Sequence, residues 1–418
     1  MSWEDLDKKH IWHPFTQMQT AEKPLAITKG KGSLLFDKNG KSYIDAISSW
    51  WVNLHGHSHP YLAKKVNEQM LNLEHVVFAG CTHEPAANLC GRLKKHLPTN
   101  QEKFFFSDNG SSAVEIAIKM VIQYWYNKGG NRKRFLALDG AYHGDTFGAM
   151  SAGARGLFSA PFNNYLFEVT HLPFPKNEHI LEALKIELEK GEVACFIFEP
   201  LVQGAAGMRM YSSEILNKMI ALCQEYGVLC IADEVMTGFG RTGTTFAMNQ
   251  LHNQPDLICM SKGLTGGTLP MSITTCSQKI YDAFLSNDLT KAFLHGHSFT
   301  GNPIGCAVSL ASLDLLEKQE CQENISLIIK SHKAFAKEIE GHPKIANLRQ
   351  TGTILAIELK DETSGYTSDL RTLLYKHFLS EGILIRPLGN VVYILPPFCI
   401  TTEELNQIYS ATKKALDL

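Results

Sequence analysis

VLCIADEVMTGFGRTG, residues 228–243, and DLICMSKG, residues 256–263, decide the predicted fold. Each segment contains a short apolar run typical of a buried parallel strand, and the two runs are followed by Asp233 and Lys262. In an open α/β sheet, ligands bind beyond the carboxyl ends of the strands. A carboxylate and an amine there suit pyridoxal phosphate, because the amine can form a Schiff base and the carboxylate can keep the pyridine nitrogen protonated. An ordinary buried ion pair is the alternative interpretation of these two residues.

Length and composition are those of an ordinary globular protein. The chain has 418 residues, of which 44% are hydrophobic and 20% are charged. A chain of this length buries roughly three quarters of the surface that its unfolded form exposes, and two domains are expected. The formal net charge is -2 and no long basic run occurs, so neither nucleic acid nor an anionic membrane is a predicted partner. Small molecules are the expected ligands.

The cysteines and the N-terminal segment predict a cellular location. The ten cysteines are scattered without a C-x-x-C pair, and Cys195, Cys230 and Cys259 lie in apolar runs where they act as small core residues. That distribution fits a reducing compartment. The first ten residues are polar, and no apolar run approaches the length of a membrane span. A soluble, cytoplasmic protein is therefore expected.

The order of apolar runs divides the chain into three parts. Residues 61–324 alternate helical stretches with short apolar strands, which predicts an α/β fold with a large doubly wound domain and a mostly parallel sheet. Residues 325–418 predict a smaller α+β domain. Residues 1–60 are expected to pack with that smaller domain, and their Asn39-Gly40 pair predicts a hairpin with a type I′ turn.

Five successive apolar runs of the large domain end in polar groups that are useful in catalysis or binding. These groups are Ser111, Tyr142, Glu199, Asp233 and Lys262. One such ending is ordinary in a buried sheet, but five in succession predict one shared site. An aromatic ring at Tyr142 could stack there on a flat cofactor ring.

The segment NGSSAVEIAIKM, residues 109–120, predicts the start of a helix with Glu115 in its first turn. Small residues such as Gly110 and Ser111 leave backbone N–H groups free at that end. These groups bind phosphate favourably, with each charge–dipole contact contributing about 0.3–1 kcal/mol. A plain serine N-cap is the alternative interpretation.

Two other features have a structural and a functional interpretation. His55, His57 and His59 alternate as metal ligands can, but no partner follows at a ligand spacing and the neighbouring Gly and Pro predict a tight loop, so no metal is predicted. Arg386 lies in apolar surroundings. It is either paired with a protein carboxylate or available to bind a substrate carboxylate through two hydrogen bonds.

These motifs together resemble the class III aminotransferases, a family of fold-type I pyridoxal-phosphate enzymes. The resemblance covers essentially the whole chain and is most specific in IADEVMTGFGRTG, residues 231–243, with the SKG that follows downstream. Three further stretches are similar to the class members that act on 8-amino-7-oxononanoate in biotin biosynthesis. These stretches are IWHPFTQM at 11–18, SSWWVNLHGHSHP at 48–60 and RPLGNVVYILPP at 386–397.

The resemblance implies a role in cofactor binding for eight residues. Lys262 would form the covalent link to pyridoxal 5'-phosphate, Asp233 would contact its pyridine nitrogen, and Tyr142 would stack on the ring; these three are the expected catalytic residues. Other expected contacts are Gly110 and Ser111 to the phosphate, Gln203 near the phenolic oxygen, and His297 and Ser298 to the phosphate from the second subunit of a homodimer.

The resemblance also implies a substrate pocket, with Arg386 binding the carboxylate of the keto substrate. The expected lining residues are Phe15, Trp50, Tyr142, Lys262, Gly296 and Arg386. Two positions depart from the family pattern. Many members have a tyrosine where this chain has Phe15, which keeps the aromatic wall and loses a hydroxyl. His297 and Ser298 replace a common Pro-Thr pair, and Ser298 keeps the hydroxyl.

The reaction implied is transfer of an amino group from S-adenosylmethionine to 8-amino-7-oxononanoate, which gives 7,8-diaminononanoate. Asp145 is the expected partner of the donor's cationic end, and Arg241 is expected to be mainly structural. Another class III aminotransferase that uses ornithine, lysine or 4-aminobutyrate is an alternative, as is an aminomutase of the glutamate-1-semialdehyde type. A cofactor-bearing regulator is disfavoured, since the ends of the chain carry no helix-turn-helix or basic segment.

Overall fold

The structure is a computed structural model and describes residues 1–361 and 370–418. A seven-stranded sheet organises the chain between residues 101 and 277. Its strands are β4 (Gln101–Ser107), β5 (Arg134–Leu138), β6 (Val169–Leu172), β7 (Val193–Phe198), β10 (Leu229–Asp233), β11 (Leu257–Met260) and β12 (Ser272–Ser277). Their order across the sheet is β4-β12-β11-β10-β7-β5-β6.

The sheet is mixed but mostly parallel. β10 pairs in parallel with both β7 and β11, and β5 pairs in parallel with β6 and β7. In this sheet β12 runs in the opposite direction, because it pairs antiparallel with β11 and with β4. The predicted parallel strands around Asp233 and Lys262 are confirmed, and Ile231 lies opposite Leu257 in their register.

Helices cover both faces of the sheet, as the alternation of strand side chains shows. Leu229 and Ile231 pack in one apolar cluster with helix α5 (Gly110–Asn127), whereas Cys230 and Ala232 pack in another with helix α8 (Ser213–Glu225). A strand buried on both faces must be apolar at every position, which is why the core strands are continuous apolar runs. The predicted doubly wound α/β fold is confirmed.

Smaller sheets accompany the large one, and the first of them joins the two ends of the chain. The strands β1 (Ile27–Lys31), β2 (Leu34–Asp37), β3 (Ser42–Asp45) and β15 (Ile383–Leu384) form one sheet in that order. A second sheet contains β13 (Ile345–Thr351), β14 (Ile354–Leu359) and β16 (Val391–Ile394), and a third pairs β8 (Val202–Gln203) with β9 (Arg209–Met210). β15 pairs in parallel with β3, which sets the N-terminal hairpin beside a strand from the C-terminal part of the chain. The domain bounds themselves stay a prediction.

The N-terminal hairpin forms, but its predicted type I′ turn is wrong. That turn needs a positive φ at both central residues, and only Gly40 has one, at 84°. Asp37 instead accepts hydrogen bonds through its side chain from the amides of Asn39 and Lys41, at 2.8 and 2.9 Å. The result is a longer loop that ends in a left-handed glycine.

The helix after β4 begins differently from the expectation. Helix α5 starts at Gly110, and the N-cap is Asn109, whose side chain accepts a hydrogen bond from the Ser112 amide at 3.0 Å. Glu115 therefore lies beyond the first turn, and the serine N-cap interpretation is also wrong.

The remaining helices complete the layers around the sheets. They are α1 (Trp3–His10), the turn α2 (Ser48–Trp51), α3 (Pro60–Asn72), α4 (Glu84–Leu93), α6 (Phe147–Ala152), α7 (His179–Glu189), α9 (Gln278–Asp282), α10 (Pro303–Leu316), α11 (Gln319–Ile339), α12 (Leu370–Ser380) and α13 (Thr402–Leu416). Within the described ranges, no helix is both long enough and apolar enough to cross a lipid bilayer.

Candidate active site

The predicted strand-end residues meet in one cavity of about 710 Å³. Ser111, Tyr142, Glu199, Asp233 and Lys262 all line it. They converge because the strands that precede them, β4, β5, β7, β10 and β11, all run in the same direction. The oppositely directed β12 lies between β4 and β11. The prediction of one shared site from five successive strand ends is confirmed as geometry.

Lys262 begins a short 3-10 turn just beyond β11, with a φ of 41°. Its Nζ lies 4.4 Å from the centre of the Trp51 ring. Burial lowers the pKa of Lys262 to about 8, although Asp233 and Glu199 act in the opposite direction. A lysine with this pKa is neutral in an appreciable fraction at neutral pH, as a nucleophile or a general base requires.

Asp233 ends β10 and is held on both carboxylate oxygens. Oδ2 lies 2.7 Å from Nδ1 of His143, and Oδ1 accepts a hydrogen bond from the Val235 amide at 3.1 Å. Both members of the Asp233–His143 pair are almost fully buried. No role for His143 is predicted from the sequence, although its position next to Tyr142 was the available signal.

Glu199 links two loops at the rim of the cavity. Its carboxylate accepts hydrogen bonds from the amides of Tyr142 at 3.1 Å and Gly204 at 2.9 Å. Burial raises the pKa of Glu199 to about 7. Tyr142 in turn donates its hydroxyl to Asp145 at 3.0 Å, and burial raises the pKa of this tyrosine. Asp145 therefore already has a partner at the mouth of the cavity.

The start of helix α5 forms one wall of the cavity. The amides of Ser112 and Ala113 are bonded to Asn109, while those of Gly110 and Ser111 have no acceptor in the described parts of the chain. A Cβ on Gly110 would lie 2.6 Å from Val235, so a larger residue would push the helix end away. Two free amides at a helix N-terminus form a favourable anion site. The Ser111 hydroxyl lies 2.9 Å from that of Thr146.

Phe15, Trp50 and Arg386 come together in a second cavity of about 870 Å³. The rings of Phe15 and Trp50 meet edge to face with their centres 5.3 Å apart. The guanidinium carbon of Arg386 lies 4.6 Å from the centre of the Trp50 ring. Nη2 of Arg386 is buried and has no hydrogen-bond partner among residues 1–361 and 370–418. The alternative interpretation, in which a protein carboxylate pairs with this arginine, has no support there.

The two cavities lie on either side of the turn α2, which carries Trp50 and Trp51. All four residues of this turn have a positive φ, between 46° and 74°. Left-handed backbone costs an L-residue roughly 1–2 kcal/mol, so a run of four needs support from its surroundings. Trp51 lines the cavity of Lys262 and Trp50 lines that of Arg386. Trp50 is a predicted residue of the substrate pocket, whereas the position of Trp51 in the cavity of Lys262 was not predicted.

Four predicted site residues do not line either cavity within the described chain. Gln203 is fully buried and donates its amide to the carbonyl of Asp139 at 3.0 Å. Gly296, His297 and Ser298 belong to a partly exposed segment that precedes helix α10. Their predicted roles stay predictions, and for His297 and Ser298 the prediction places them in the site of a second subunit.

The loop histidines and Arg241 have structural contacts. His55 is bonded to Ser312 at 3.0 Å and His57 to Asp45 at 2.9 Å. No cluster of three or more His, Cys, Asp or Glu side chains able to hold a metal occurs in residues 1–361 and 370–418. Arg241 is buried and donates to the carbonyls of Asn53 and Pro396 at 3.0 and 2.9 Å, which agrees with its expected structural role.

Comparison with known proteins identifies the family of this fold and site. The family model for class III aminotransferases (Aminotransferase class-III) matches residues 16–416. The chain therefore belongs to the class III aminotransferases.

Particular relatives narrow the resemblance within the class. The chain is 48% identical to adenosylmethionine-8-amino-7-oxononanoate aminotransferase from Synechococcus elongatus, over 98% of each chain. It is 36% identical to the crystal structure of the enzyme of that name from Methanocaldococcus jannaschii, with a TM-score of 0.95 over 99% of this chain and 98% of that one. An (S)-enantioselective omega-transaminase from Thermomicrobium roseum is 31% identical, with a TM-score of 0.92 over 99% of this chain and 97% of that one.

The pKa of Lys262 leads to a prediction about its reactivity. We expect modification of Lys262 by added pyridoxal phosphate, used as an aldehyde probe on the ligand-free protein, to rise with pH and level off above pH 9, since the neutral amine predominates above a pKa of about 8. The rate should increase about tenfold from pH 7 to pH 9, whereas ordinary lysines, with a pKa of about 10.4, should still be accelerating. Borohydride trapping followed by peptide mass spectrometry measures both. A rate at Lys262 that keeps rising beyond pH 10 would contradict the lowered pKa.

Proposed function

We propose that this aminotransferase converts 8-amino-7-oxononanoate to 7,8-diaminononanoate, with S-adenosylmethionine as the amino donor and pyridoxal phosphate as the cofactor. The observation that carries the proposal is the 48% identity, over 98% of each chain, to a relative named for this activity. Nη2 of Arg386 supports it, since this buried nitrogen has no hydrogen-bond partner in the described part of the chain and the keto substrate carries a carboxylate far from its reacting carbon.

The first cavity has side chains and amides that match the functional groups of pyridoxal phosphate. The free amides of Gly110 and Ser111 suit the phosphate, the carboxylate of Asp233 suits a protonated pyridine nitrogen, and the amine of Lys262 suits the aldehyde. Tyr142 offers an aromatic face in the same cavity. When bound, the cofactor supplies an electron sink for the carbanion that forms as the substrate loses a proton.

Protein side chains account for the proton transfers of the reaction. A neutral Lys262 can take a proton from the substrate carbon and return one, because its pKa of about 8 is close to the working pH. The Trp51 ring next to Nζ keeps water away from that side of the amine. His143 fixes the orientation of the Asp233 carboxylate through a charge-assisted hydrogen bond, so this group needs no reorganisation during the reaction.

Arg386 supports the substrate assignment. Trp50 covers the face of the guanidinium, which leaves the in-plane N–H groups for an acceptor. A carboxylate matches that planar pair of donors. An omega-transaminase is among the similar structures. The identities of the keto acid and of the amino donor therefore distinguish the proposed reaction from other class III activities.

A homodimer belongs to the same proposal. Gly296, His297 and Ser298 lie outside both cavities of their own chain, in a segment with the exposed apolar side chains Leu294 and Phe299. Exposed apolar groups of this kind are typical of a surface that a partner covers. We propose that this segment of one subunit completes the phosphate and substrate sites of the other.

Replacement of Arg386 tests the substrate carboxylate. Arg386→Ala should raise KM for 8-amino-7-oxononanoate about 10- to 100-fold, since a charge-assisted hydrogen bond contributes about 1.5–3 kcal/mol, and should leave cofactor absorbance unchanged. The methyl ester of the substrate is the matched control, because it lacks the carboxylate charge. The ester should bind the wild-type protein and the variant equally weakly. An equal loss for acid and ester would show that Arg386 does not contact the carboxylate.

A single-turnover titration tests the donor. The cofactor-loaded protein should be converted to its aminated form by S-adenosylmethionine, whose adenine and sulfonium suit the aromatic rings of Phe15, Trp50 and Trp51. Lysine, ornithine and 4-aminobutyrate are the parallel donors, and absorbance follows each conversion. Conversion by lysine alone would overturn the donor assignment while sparing the reaction class, and Phe15→Tyr would then test the missing hydroxyl.

Co-expression of two inactive chains tests the shared site. A Lys262→Ala chain and a Ser298→Asp chain should each be inactive alone, the second because a carboxylate repels the phosphate. Random pairing should restore about a quarter of wild-type activity, since half of the dimers carry one intact site. Activity no greater than the sum of the two homodimers would refute a contribution from the partner subunit.

A further inference from the structure

The left-handed turn α2 is supported at its centre by one buried carboxylate. Asp45 ends β3 and is fully buried. Its Oδ1 accepts hydrogen bonds from the amides of Ser49 at 2.9 Å and Ile47 at 3.3 Å. Its Oδ2 accepts the Ser49 hydroxyl at 2.8 Å. Asp45 therefore binds Ser49 at two points, immediately before Trp50.

The fourth hydrogen bond to Asp45 comes from His57, and the surrounding bonds decide its direction. The Gly56 amide can only donate, so the oxygen of the Asn53 side chain faces it at 2.7 Å. The nitrogen of that side chain then faces Nδ1 of His57 at 3.2 Å and donates to it. Nε2 of a neutral His57 consequently carries the proton and donates it to Oδ2 of Asp45 at 2.9 Å. An asparagine at position 45 would disrupt this chain of donors and acceptors.

The two ends of the turn have other supports. The Ser48 hydroxyl donates to the carbonyl of Leu395 at 2.8 Å, and Arg241 approaches the carbonyl of Trp51 at 3.4 Å. The centre of the turn, at Ser49 and Trp50, depends on Asp45. Residues with a left-handed backbone revert to ordinary conformations when the surrounding bonds are removed.

We infer that Asp45 is a positioning residue of the aminotransferase reaction, which acts through Ser49 to hold Trp50 against Arg386 and Trp51 against Lys262. Each tryptophan contacts a basic side chain on which the proposed function depends, Trp50 at 4.6 Å and Trp51 at 4.4 Å. A shift of the turn therefore moves the walls of both cavities together. This inference rests on the proposed function for the roles of Arg386 and Lys262. That Asp45 holds the conformation of the turn follows from the hydrogen bonds of the turn alone.

The test compares Asp45→Asn with Asp314→Asn. Asp314 is a matched control, since its carboxylate also accepts two side-chain hydrogen bonds, from Tyr61 at 2.6 Å and Arg92 at 2.7 Å, and lines neither cavity.

The chain contains five tryptophans, which 5-fluorotryptophan labelling makes visible by 19F NMR. The resonances of Trp50 and Trp51 are assigned with single Trp→Phe variants. KM and kcat for 8-amino-7-oxononanoate are measured on the same proteins.

In Asp45→Asn the Trp50 and Trp51 resonances should shift or split while those of Trp3, Trp12 and Trp125 stay in place. KM should rise about tenfold, because Trp50 no longer holds Arg386 in place, and kcat should fall about threefold or more, because Trp51 no longer lies against Lys262. Asp314→Asn should change neither the spectrum nor KM.

Ser49→Ala removes one of the hydrogen bonds to Asp45 without removing a buried charge, and it provides the same measurement if Asp45→Asn does not fold.

Several results would overturn the inference. Unmoved Trp50 and Trp51 resonances would show that Asp45 does not hold the turn. Shifted resonances with an unchanged KM would show that the turn does not position substrate, and equal effects in Asp314→Asn would show a general loss of stability. The spectra need no substrate, so a wild-type protein that fails to turn over 8-amino-7-oxononanoate would overturn the proposed function separately.

Discussion

The parallel pairing of β10 with β7 and β11 is the constraint on which the site depends. Parallel strands end at the same edge of a sheet, so residues that follow different strands in the sequence become neighbours in space. The register sets Asp233 opposite Cys259, three residues before Lys262. Continuous apolar strands bury both faces of the sheet and leave this edge as the place where polar groups meet a cavity.

The buried carboxylates at this edge have hydrogen-bond partners. Asp233 is paired with His143, and Glu199 accepts two backbone amides, so neither carboxylate is isolated in its buried surroundings. Burial acts in opposite directions on acids and bases: it raises the pKa of Glu199 to about 7 and lowers that of Lys262 to about 8. Both groups therefore change protonation state near neutral pH, which suits a site that moves protons.

The turn α2 connects this edge with the substrate cavity. The left-handed backbone of the turn places its two adjacent tryptophans in different cavities. Trp50 contacts Arg386 in one cavity, and Trp51 contacts Lys262 in the other. Some of the support is local, from Asp45 and His57 on either side of the turn. The rest comes from residues distant in sequence, Leu395 in the C-terminal part and Arg241 in the loop after β10. Substrate recognition and the packing of the two chain ends are thereby coupled.

The sequence alone determined the α/β fold and the five strand-end residues of the first cavity. An apolar run that ends in a polar residue can be recognised locally in the sequence. Because parallel strands share a direction, the polar residues at their ends lie at the same edge of the sheet and close to one another. Only the tertiary structure decided the contact of His143 with Asp233, the placement of Trp50 and Trp51 in different cavities, and the conformation of the loop at Asn39. Each of these depends on side-chain hydrogen bonds: the 2.7 Å contact of His143 with Asp233, the bonds that Ser49 donates to Asp45, and the Asp37 side chain that accepts the Lys41 amide. The physical reason is that backbone propensity changes by only about 1–2 kcal/mol per residue, which a few side-chain hydrogen bonds can exceed.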